Sequence, residues 1–206
     1  VVHFNSSNTQ KIYCSYSDKI KGEVLSISHR DISDNRKKRV RHEICQFTYL
    51  GPDTYHKGFY LLIDVCDRLW RLGYKFKLNI YFRTDKERPY LEIHKPYNYG
   101  ELGVIMDNTD YVVVPSLWNE TYGFTVAEAM SYGIPAIVST TVGAKDEIET
   151  DVNGIITEAT FTSLYNIFID VIEDTSLFDK YNANICKNYI PRTISTHCQN
   201  LLSLYN

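Results

Sequence analysis

The chain has 206 residues, which is enough for one α/β domain or at most two small ones. Its apolar content of 44% can bury a core, and its net charge of −3 argues against a general nucleic-acid-binding protein. Five scattered cysteines form no C-x-x-C pair and no Cys/His metal spacing, which is typical of reduced thiols in a cytosolic protein.

No targeting segment and no apolar run long enough to span a bilayer is visible in the sequence, so we expect a cytoplasmic protein. The chain begins at Val1 without an initiator methionine, and we expect it to be a fragment of a longer protein.

The first third of the chain carries weak signals. Residues 1–23 are polar and mixed, with a turn predicted at 5–8, and residues 24–28 alternate like a strand. A charged stretch at 29–41 includes the run Arg36-Lys37-Lys38-Arg39. This run could bind an anionic partner such as a membrane surface, a lipid-linked phosphate or nucleic acid. We favour a solvated loop or helix face, because a charge run alone is a weak signal.

From residue 44 onward, predicted strands and helices alternate. The strands are predicted at 44–50, 75–82, 90–94, 111–114, 134–139 and 155–157. The helices are predicted at 59–72, 101–108, 124–130, 161–173, 176–189 and 194–204, with a helical turn at 145–150. This alternation predicts an α/β fold with a Rossmann-like, doubly wound parallel sheet and helices on both faces. Ligands of such sheets bind at the carboxyl ends of the strands, where loops 51–58 and 116–123 open.

The most informative unit is the strand, loop and helix between residues 111 and 135. Gly123 stands at the predicted helix entry, where unpaired N–H groups and a partial positive charge favour a phosphate. A glycine there lets a ligand approach the backbone closely. Glu120 in the loop and Glu128 in the helix flank this point, and carboxylates accept hydrogen bonds from sugar hydroxyls. The unit therefore predicts a cradle for a sugar nucleotide.

This stretch resembles the signature of retaining glycosyltransferases of the GT-B fold, family 4 (glycosyltransferase group 1). The signature has two glutamates separated by seven residues, which Glu120 and Glu128 match. Upstream, Gly51 and Lys57-Gly58 have the spacing of the Gly-Arg … Lys-Gly loop of the family. Downstream, the matching residues are Gly143, Glu147 and Asn153-Gly154-Ile155-Ile156. The matched pieces span residues 44–157 in the order found in the family.

The resemblance implies one half of a GT-B architecture, in which the active site lies in the cleft between two Rossmann-like domains. It implies an interdomain segment or N-terminal extension at 1–23, a nucleotide-sugar donor-binding domain at 24–190 and a C-terminal crossing helix at 191–206. We expect the acceptor-binding N-terminal domain to be missing from this chain, and the fragment to be inactive without it.

The resemblance also implies a role for each candidate site residue. Lys57 and Glu120 are the candidate catalytic residues: Lys57 would pair with the donor diphosphate, and Glu120 would bind hydroxyls of the transferred sugar. Glu128 would accept hydrogen bonds from the ribose hydroxyls. The other donor-binding candidates are Gly51, the phosphate-holding amides of Gly123, Phe124 and Thr125, and Lys95 and Pro96, which would lie against the base.

The implied reaction is transfer of a hexosyl group, with retention of configuration, from a UDP- or GDP-linked sugar to a glycan or lipid-linked acceptor. Polysaccharide, capsule and lipopolysaccharide assembly all fit the family. No separate cofactor and no metal is expected, because Lys57 and the helix start would stabilise the leaving diphosphate. We expect no nucleic-acid partner, and the basic run is a weak indication of peripheral association with the cytoplasmic face of a membrane.

One residue departs from the pattern of the family. Pro52 stands where the family has an arginine, so that one diphosphate-binding cation is lost. Either Arg83 or Lys145 replaces it, or phosphate binding is weaker. This leaves open an alternative: a non-catalytic nucleotide-sugar-binding domain or a degenerate glycosyltransferase. A dinucleotide-dependent Rossmann enzyme is disfavoured because the chain has no G-x-G-x-x-G motif. Trp118, close to Glu120, could stack on donor or acceptor.

Overall fold

The main element of the computed structural model, which describes residues 2–205, is a six-stranded parallel sheet. The strands are β1 (Val2–Phe4), β2 (Gly22–Val24), β3 (Cys45–Tyr49), β4 (Phe76–Ile80), β5 (Leu91–Ile93), β6 (Tyr111–Val114), β7 (Ala136–Ser139) and β8 (Ile155–Thr157). The helices are α1 (Ser7–Tyr16), α2 (Phe59–Arg71), α3 (Leu102–Asp107), α4 (Phe124–Ser131), α5 (Phe161–Glu173), α6 (Ser176–Asn188) and α7 (Ile194–Tyr205). The order in the main sheet is β5-β4-β3-β6-β7-β8, and every pair is parallel. The predicted doubly wound α/β fold is confirmed.

The central strand β6 is buried on both faces, which explains its uninterrupted apolar sequence. Tyr111 and Val113 join the core that includes residues of α2 and α5. Val112, between them, packs on the opposite side with residues of α3 and α4. This two-sided burial fixes the strand, and so fixes where the loop after it begins.

The N-terminal residues differ most from the prediction. Strand β1, helix α1 and strand β2 form a parallel β-α-β unit with its own two-stranded sheet. Strand β2 ends at Val24, so the strand predicted at 24–28 lies almost entirely outside it. The side chain of Ser6 caps α1 by accepting from the Thr9 N–H. No residue of α1 is fully buried, and its polar sequence lacks the apolar periodicity that would predict a helix.

Residues 25–44, which we call the strap, contain no helix or strand and cross the ends of several helices. Three arginines of the strap donate to backbone carbonyls at or next to helix C-termini, where a positive charge is favourable. The acceptors include Ile185 and Tyr189 for Arg36, Met106 and Tyr132 for Arg39, and Val171 and Ile172 for Arg41. The lysines of the basic run are exposed in a loop, as the interpretation that we favoured requires, whereas its arginines bind carbonyls of the fold itself.

The C-terminal helix α7 packs against the beginning of the chain. Nδ1 of His197 donates to the carbonyl of Ser26 at 3.1 Å, and its ring centroid lies 6.0 Å from that of His3. The hydroxyl of Ser28 donates to the carbonyl of Arg192 just before the helix. Between residues 2 and 205, no helix combines the length and the apolar character needed to cross a membrane.

Candidate active site

Two loops at the carboxyl edge of the sheet, residues 51–58 after β3 and 115–123 after β6, are joined by their backbones. The carbonyl of His56 accepts from the N–H of Leu117 at 2.8 Å and from the hydroxyl of Ser116 at 3.1 Å. Gly58 has φ +77°, and a Cβ there would lie 1.9 Å from the carbonyl oxygen of Pro115. Only glycine permits this approach, so the glycine after Lys57 is what allows the two loops to pack as one unit.

The joined loops place Lys57 against Glu120. Nζ of Lys57 lies 2.9 Å from Oε2 of Glu120, whose side chain is 11% exposed. The other carboxylate oxygen, Oε1, is buried and has no hydrogen-bond partner among residues 2–205. A buried carboxylate oxygen without a donor is costly, and a ligand hydroxyl at this point would supply one.

The N-terminus of α4 lies beside this pair. Gly123 caps the helix with φ +110°, and a Cβ there would meet Cγ1 of Val142 at 2.8 Å. The backbone N–H groups of Gly123, Phe124 and Thr125 have no acceptor in the part of the chain that the structure describes. These free donors and the positive end of the helix dipole make the end of α4 suitable for an anion.

Together these groups line one open cavity of about 580 Å³. The predicted site residues in its wall are Lys57, Glu120, Gly123, Phe124 and Thr125. A recess of about 50 Å³ shares Lys57 and Glu120 with the cavity and adds Gly51. Trp118 also lines the cavity; it is 55% exposed, and its ring lies 4.6 Å from that of His56. The structure thus gathers six predicted donor-binding residues, from loops about 70 residues apart, around one opening.

Glu128, on α4, is only 3% exposed. Its Oε1 lies 3.0 Å from Nε2 of His29, which the strap brings to this point. Burial raises the pKa of the Glu128 carboxyl above its ordinary value, and the facing His29 partly opposes this rise. The sequence around His29 gives no sign of this role, because a histidine within a charged stretch carries no local signal of a contact 99 residues away.

Three predicted residues do not line the cavity or its recess. Glu128 is buried on α4, whereas Lys95 and Pro96 lie elsewhere. Both are exposed after β5, which β4 and β3 separate from β6, and neither lines the cavity or its recess. The aromatic residues that follow them lie nearer to Glu128. Burial, and then the Glu128 carboxylate, raise the pKa of the Tyr97 hydroxyl, and the ring of Tyr99 lies 5.3 Å from that of His29.

The two cations considered as replacements for the missing arginine also lie elsewhere. Nζ of Lys145 is 2.5 Å from Oδ1 of Asn8 and 3.6 Å from the Asp146 carboxylate. Arg83 is exposed in the loop before β5. Among residues 2–205, Lys57 is the only basic side chain that lines the cavity or the recess. Pro52 contributes to the loop through its backbone instead: its carbonyl accepts a hydrogen bond from the hydroxyl of Tyr49 at 2.8 Å.

The N-terminal β-α-β unit supports the loop that carries Glu120. The hydroxyl of Ser6 donates to the carbonyl of Thr121 at 2.8 Å. The backbone N–H and the hydroxyl of Ser7 both donate to the Asp146 carboxylate, each at 2.6 Å. The start of α1 therefore contacts the wall of the cavity, rather than being separate from the donor-binding region.

Comparison with known proteins gives one family and a set of structural neighbours. A family model described as "Glycosyl transferases group 1" matches residues 31–188. Curated protein sequences contain no significant match to this chain. The similar solved structures compared below share less than a fifth of its sequence, so they are informative about the fold alone.

Sucrose-phosphate synthase from Thermosynechococcus elongatus has a TM-score of 0.78 at 15% identity, covering 99% of this chain and 57% of that chain. Anabaena HepE in complex with UDP and glucose has a TM-score of 0.76 at 18% identity, covering 98% of this chain and 62% of that chain. An S. aureus TarM mutant in complex with Fondaparinux, alpha-GlcNAc-glycerol and UDP has a TM-score of 0.78 at 18% identity, covering 100% of this chain and 43% of that chain. The chain thus spans about half the length of the solved structures it matches.

Proposed function

Because this chain belongs to the glycosyl transferases group 1 family, we propose that it is the nucleotide-sugar donor-binding half of a retaining hexosyltransferase. The observation that carries the proposal is the pairing of Lys57 with Glu120, whose Oε1 has no partner among residues 2–205, in a cavity that the residues at the start of α4 also line. One cavity thereby offers a cation, an anion-binding helix end and a carboxylate with one oxygen that lacks a hydrogen-bond donor. A sugar linked to a diphosphate requires these three kinds of group.

In this proposal the diphosphate binds at the start of α4, and Lys57 turns from Glu120 toward it. Glu120 then accepts hydrogen bonds from hydroxyls of the transferred sugar, and its buried oxygen gains the donor it lacks. As the bond from the sugar to the diphosphate breaks, negative charge grows on the leaving group. Lys57 and the amides of Gly123, Phe124 and Thr125 stabilise that charge from fixed positions. Neither a resident metal nor an organic cofactor takes part.

The proposed donor is a UDP- or GDP-linked hexose. UDP is present in the complexes of HepE and TarM, which supports nucleotide-sugar use by a fold of this kind. The proposed acceptor is a glycan or a lipid-linked glycan of polysaccharide, capsule or lipopolysaccharide type, held by a second domain, and the reaction is proposed to be cytoplasmic. Arg36, Arg39 and Arg41 of the strap bind helix carbonyls, which leaves Arg30, Lys37 and Lys38 of the strap exposed for peripheral attachment to a membrane.

A second candidate is a nucleotide-sugar-binding domain without catalysis. The observation that favours it is the lost arginine at Pro52, together with the positions of Arg83 and Lys145 away from the cavity. A single cation would then hold the donor, but it would stabilise the leaving group too weakly for turnover.

The test of donor binding is calorimetric titration with UDP-, GDP- and ADP-sugars. We expect one nucleotide series to bind, and Lys57→Met to weaken that binding about 10- to 100-fold, the worth of one charge-assisted contact. Lys38→Met, an exposed lysine on the strap, is the matched control and should change nothing. No binding to any of the sugars, or equal binding by Lys57→Met, would refute the site.

Transfer itself separates the two candidates. The full-length protein should transfer the sugar of the donor that binds best, and the product should keep the anomeric configuration of that donor. NMR of the product measures both. Donor binding without any transfer by the full-length protein would support the non-catalytic candidate, and an inverted product would contradict retention.

A further inference from the structure

We propose that His29 is a positioning residue for ribose recognition, which holds one oxygen of Glu128 so that the other accepts from the ribose hydroxyls of the donor. The inference rests on the proposed nucleotide-sugar function and assigns His29, a residue of the strap, to that site. It concerns how the nucleotide is selected rather than how the sugar is transferred.

The hydrogen bonds of His29 fix which nitrogen carries a proton. The backbone N–H of Asp31 points at Nδ1 at 3.3 Å, so Nδ1 serves as an acceptor. The ring proton then resides on Nε2, which faces Oε1 of Glu128 at 3.0 Å. If the ring gains a second proton, Nδ1 meets the Asp31 carboxylate at 3.6 Å and Nε2 still donates to Glu128. His29 is therefore the donor and Glu128 the acceptor in either state.

The ring of His29 is held from several sides. The ring of Phe124 meets it edge-on at 4.9 Å, and the ring of Tyr99 lies 5.3 Å away. The charged or titratable groups that face it are Glu128 on α4, Asp31 on the strap and Tyr99 before α3. The side chain of His29 is 19% exposed. A donor held this firmly defines the direction of the carboxylate that it binds.

Glu128 has one oxygen left for a ligand. The hydrogen bond with His29 uses Oε1, and Oε2 has no hydrogen-bond partner among the residues that the structure describes. Burial favours the protonated form of this carboxyl, and a hydrogen-bond donor favours the carboxylate. A carboxylate accepts from two adjacent hydroxyls, whereas a protonated carboxyl accepts less well and donates instead. His29 thus keeps Glu128 both oriented and suited to the vicinal hydroxyls of a ribose.

The experiment compares UDP, GDP and ADP with their 2′-deoxy counterparts in calorimetric titrations of the whole chain. For the nucleotide that binds, the unchanged protein should prefer the ribo form about 10-fold or more, as expected for loss of a hydrogen bond to a charged group. His29→Ala should reduce this preference to less than about 3-fold while leaving the affinity for the deoxy form nearly unchanged. His29→Gln, whose amide nitrogen can occupy the place of Nε2, should retain most of the preference.

His42→Ala is the matched control, because His42 lies before the amino end of β3, whereas the cavity lies at the carboxyl end. The ribo preference of His42→Ala should equal that of the unchanged protein. A ribo preference that persists in His29→Ala would overturn the inference. The inference would also be overturned if His29→Ala and His29→Gln both lost affinity for the ribo and the deoxy nucleotide equally, because a merely structural role would produce that result. Binding without any ribo preference overturns this inference but leaves the proposed function standing, whereas no binding of any nucleotide refutes both.

Discussion

Glu128 is a carboxylate that is almost completely buried, and this position has a thermodynamic consequence. Its pKa is raised in the folded state because burial penalises the charged form more than His29 favours it. A carboxyl whose pKa is higher in the folded than in the unfolded state favours folding at low pH. That contribution disappears as the pH rises through the folded pKa. At neutral pH, the Glu128 carboxyl therefore contributes less to the stability of the domain than it does at low pH.

We predict that Glu128→Gln raises the melting temperature at pH 7 and that its advantage over the unchanged protein shrinks as the pH falls toward 4.5. The amide still accepts from His29 but carries no charge to desolvate. The same variant should lose the ribo preference. Thermal melts across this pH range measure the first effect, and a Glu128→Gln protein that melts several degrees lower at pH 7 would show the argument to be wrong.

The site residues divide into those that sequence reasoning can find and those that it cannot. Lys57, Glu120 and Gly123 stand in short motifs with fixed spacing, so their proximity follows from the order of strands in a parallel sheet. The burial of Glu128 and its contact with His29 could not be predicted. They depend on the path of the strap, in which the strand predicted at 24–28 does not form and no other periodicity indicates a structure.

At the scale of elements, the strap stabilises the domain by closing helix ends. Arg39 is the clearest case: its side chain is 8% exposed, and it donates to the carbonyls of Met106 and Tyr132 and to the Asp107 carboxylate. These contacts join α3 to the end of α4. The side chain of neighbouring Lys38 is exposed and makes no hydrogen bond or ion pair with any residue between 2 and 205.

We predict that Arg39→Met lowers the free energy of unfolding by about 2–3 kcal/mol, because the buried carbonyls lose a charged donor. Lys38→Met, the adjacent control, should change it by less than about 0.5 kcal/mol. Urea denaturation measures both values. Equal and small effects of the two substitutions would indicate that the arginine contacts contribute little.

The elements of the main sheet could be predicted because buried parallel strands and amphipathic helices leave strong apolar patterns. Helix α2 illustrates this, since its buried residues recur on one face. Helix α1 could not be predicted, because it buries no residue completely and contacts its neighbours through polar groups. The arginines of the strap were misread for the same reason: their partners are carbonyls, which every sequence contains.

At the scale of the whole molecule, the chain corresponds to 57%, 62% and 43% of the length of the three solved structures compared with it. Its N-terminal unit is a two-stranded parallel sheet, which is marginal by itself. Contacts with α7 and with the loop that carries Glu120 support it here. The chain thus contains all the residues of the donor site that we propose.

We predict that the chain alone binds its nucleotide sugar but transfers no sugar to an acceptor. Lys57, Glu120 and α4 form one wall of the cavity, which is open, and nothing in the proposal assigns acceptor binding to them. A transfer assay with radiolabelled donor, using the full-length protein as the positive control, measures this. Transfer by the chain alone would disprove the division of labour between two domains.

The strap also determines when the site is completed during synthesis. Arg39 donates to the carbonyl of Met106, which is synthesised 67 residues later. Arg36 donates to the carbonyl of Cys186, which is synthesised 150 residues later. The strap leaves the ribosome early but completes its contacts only when α6 has been made, which delays this part of folding. Since His29 lies on the strap, the ribose site that we propose depends on the path of the strap. We therefore expect a chain that ends before α6 to bind its nucleotide with a weaker ribo preference than the whole domain.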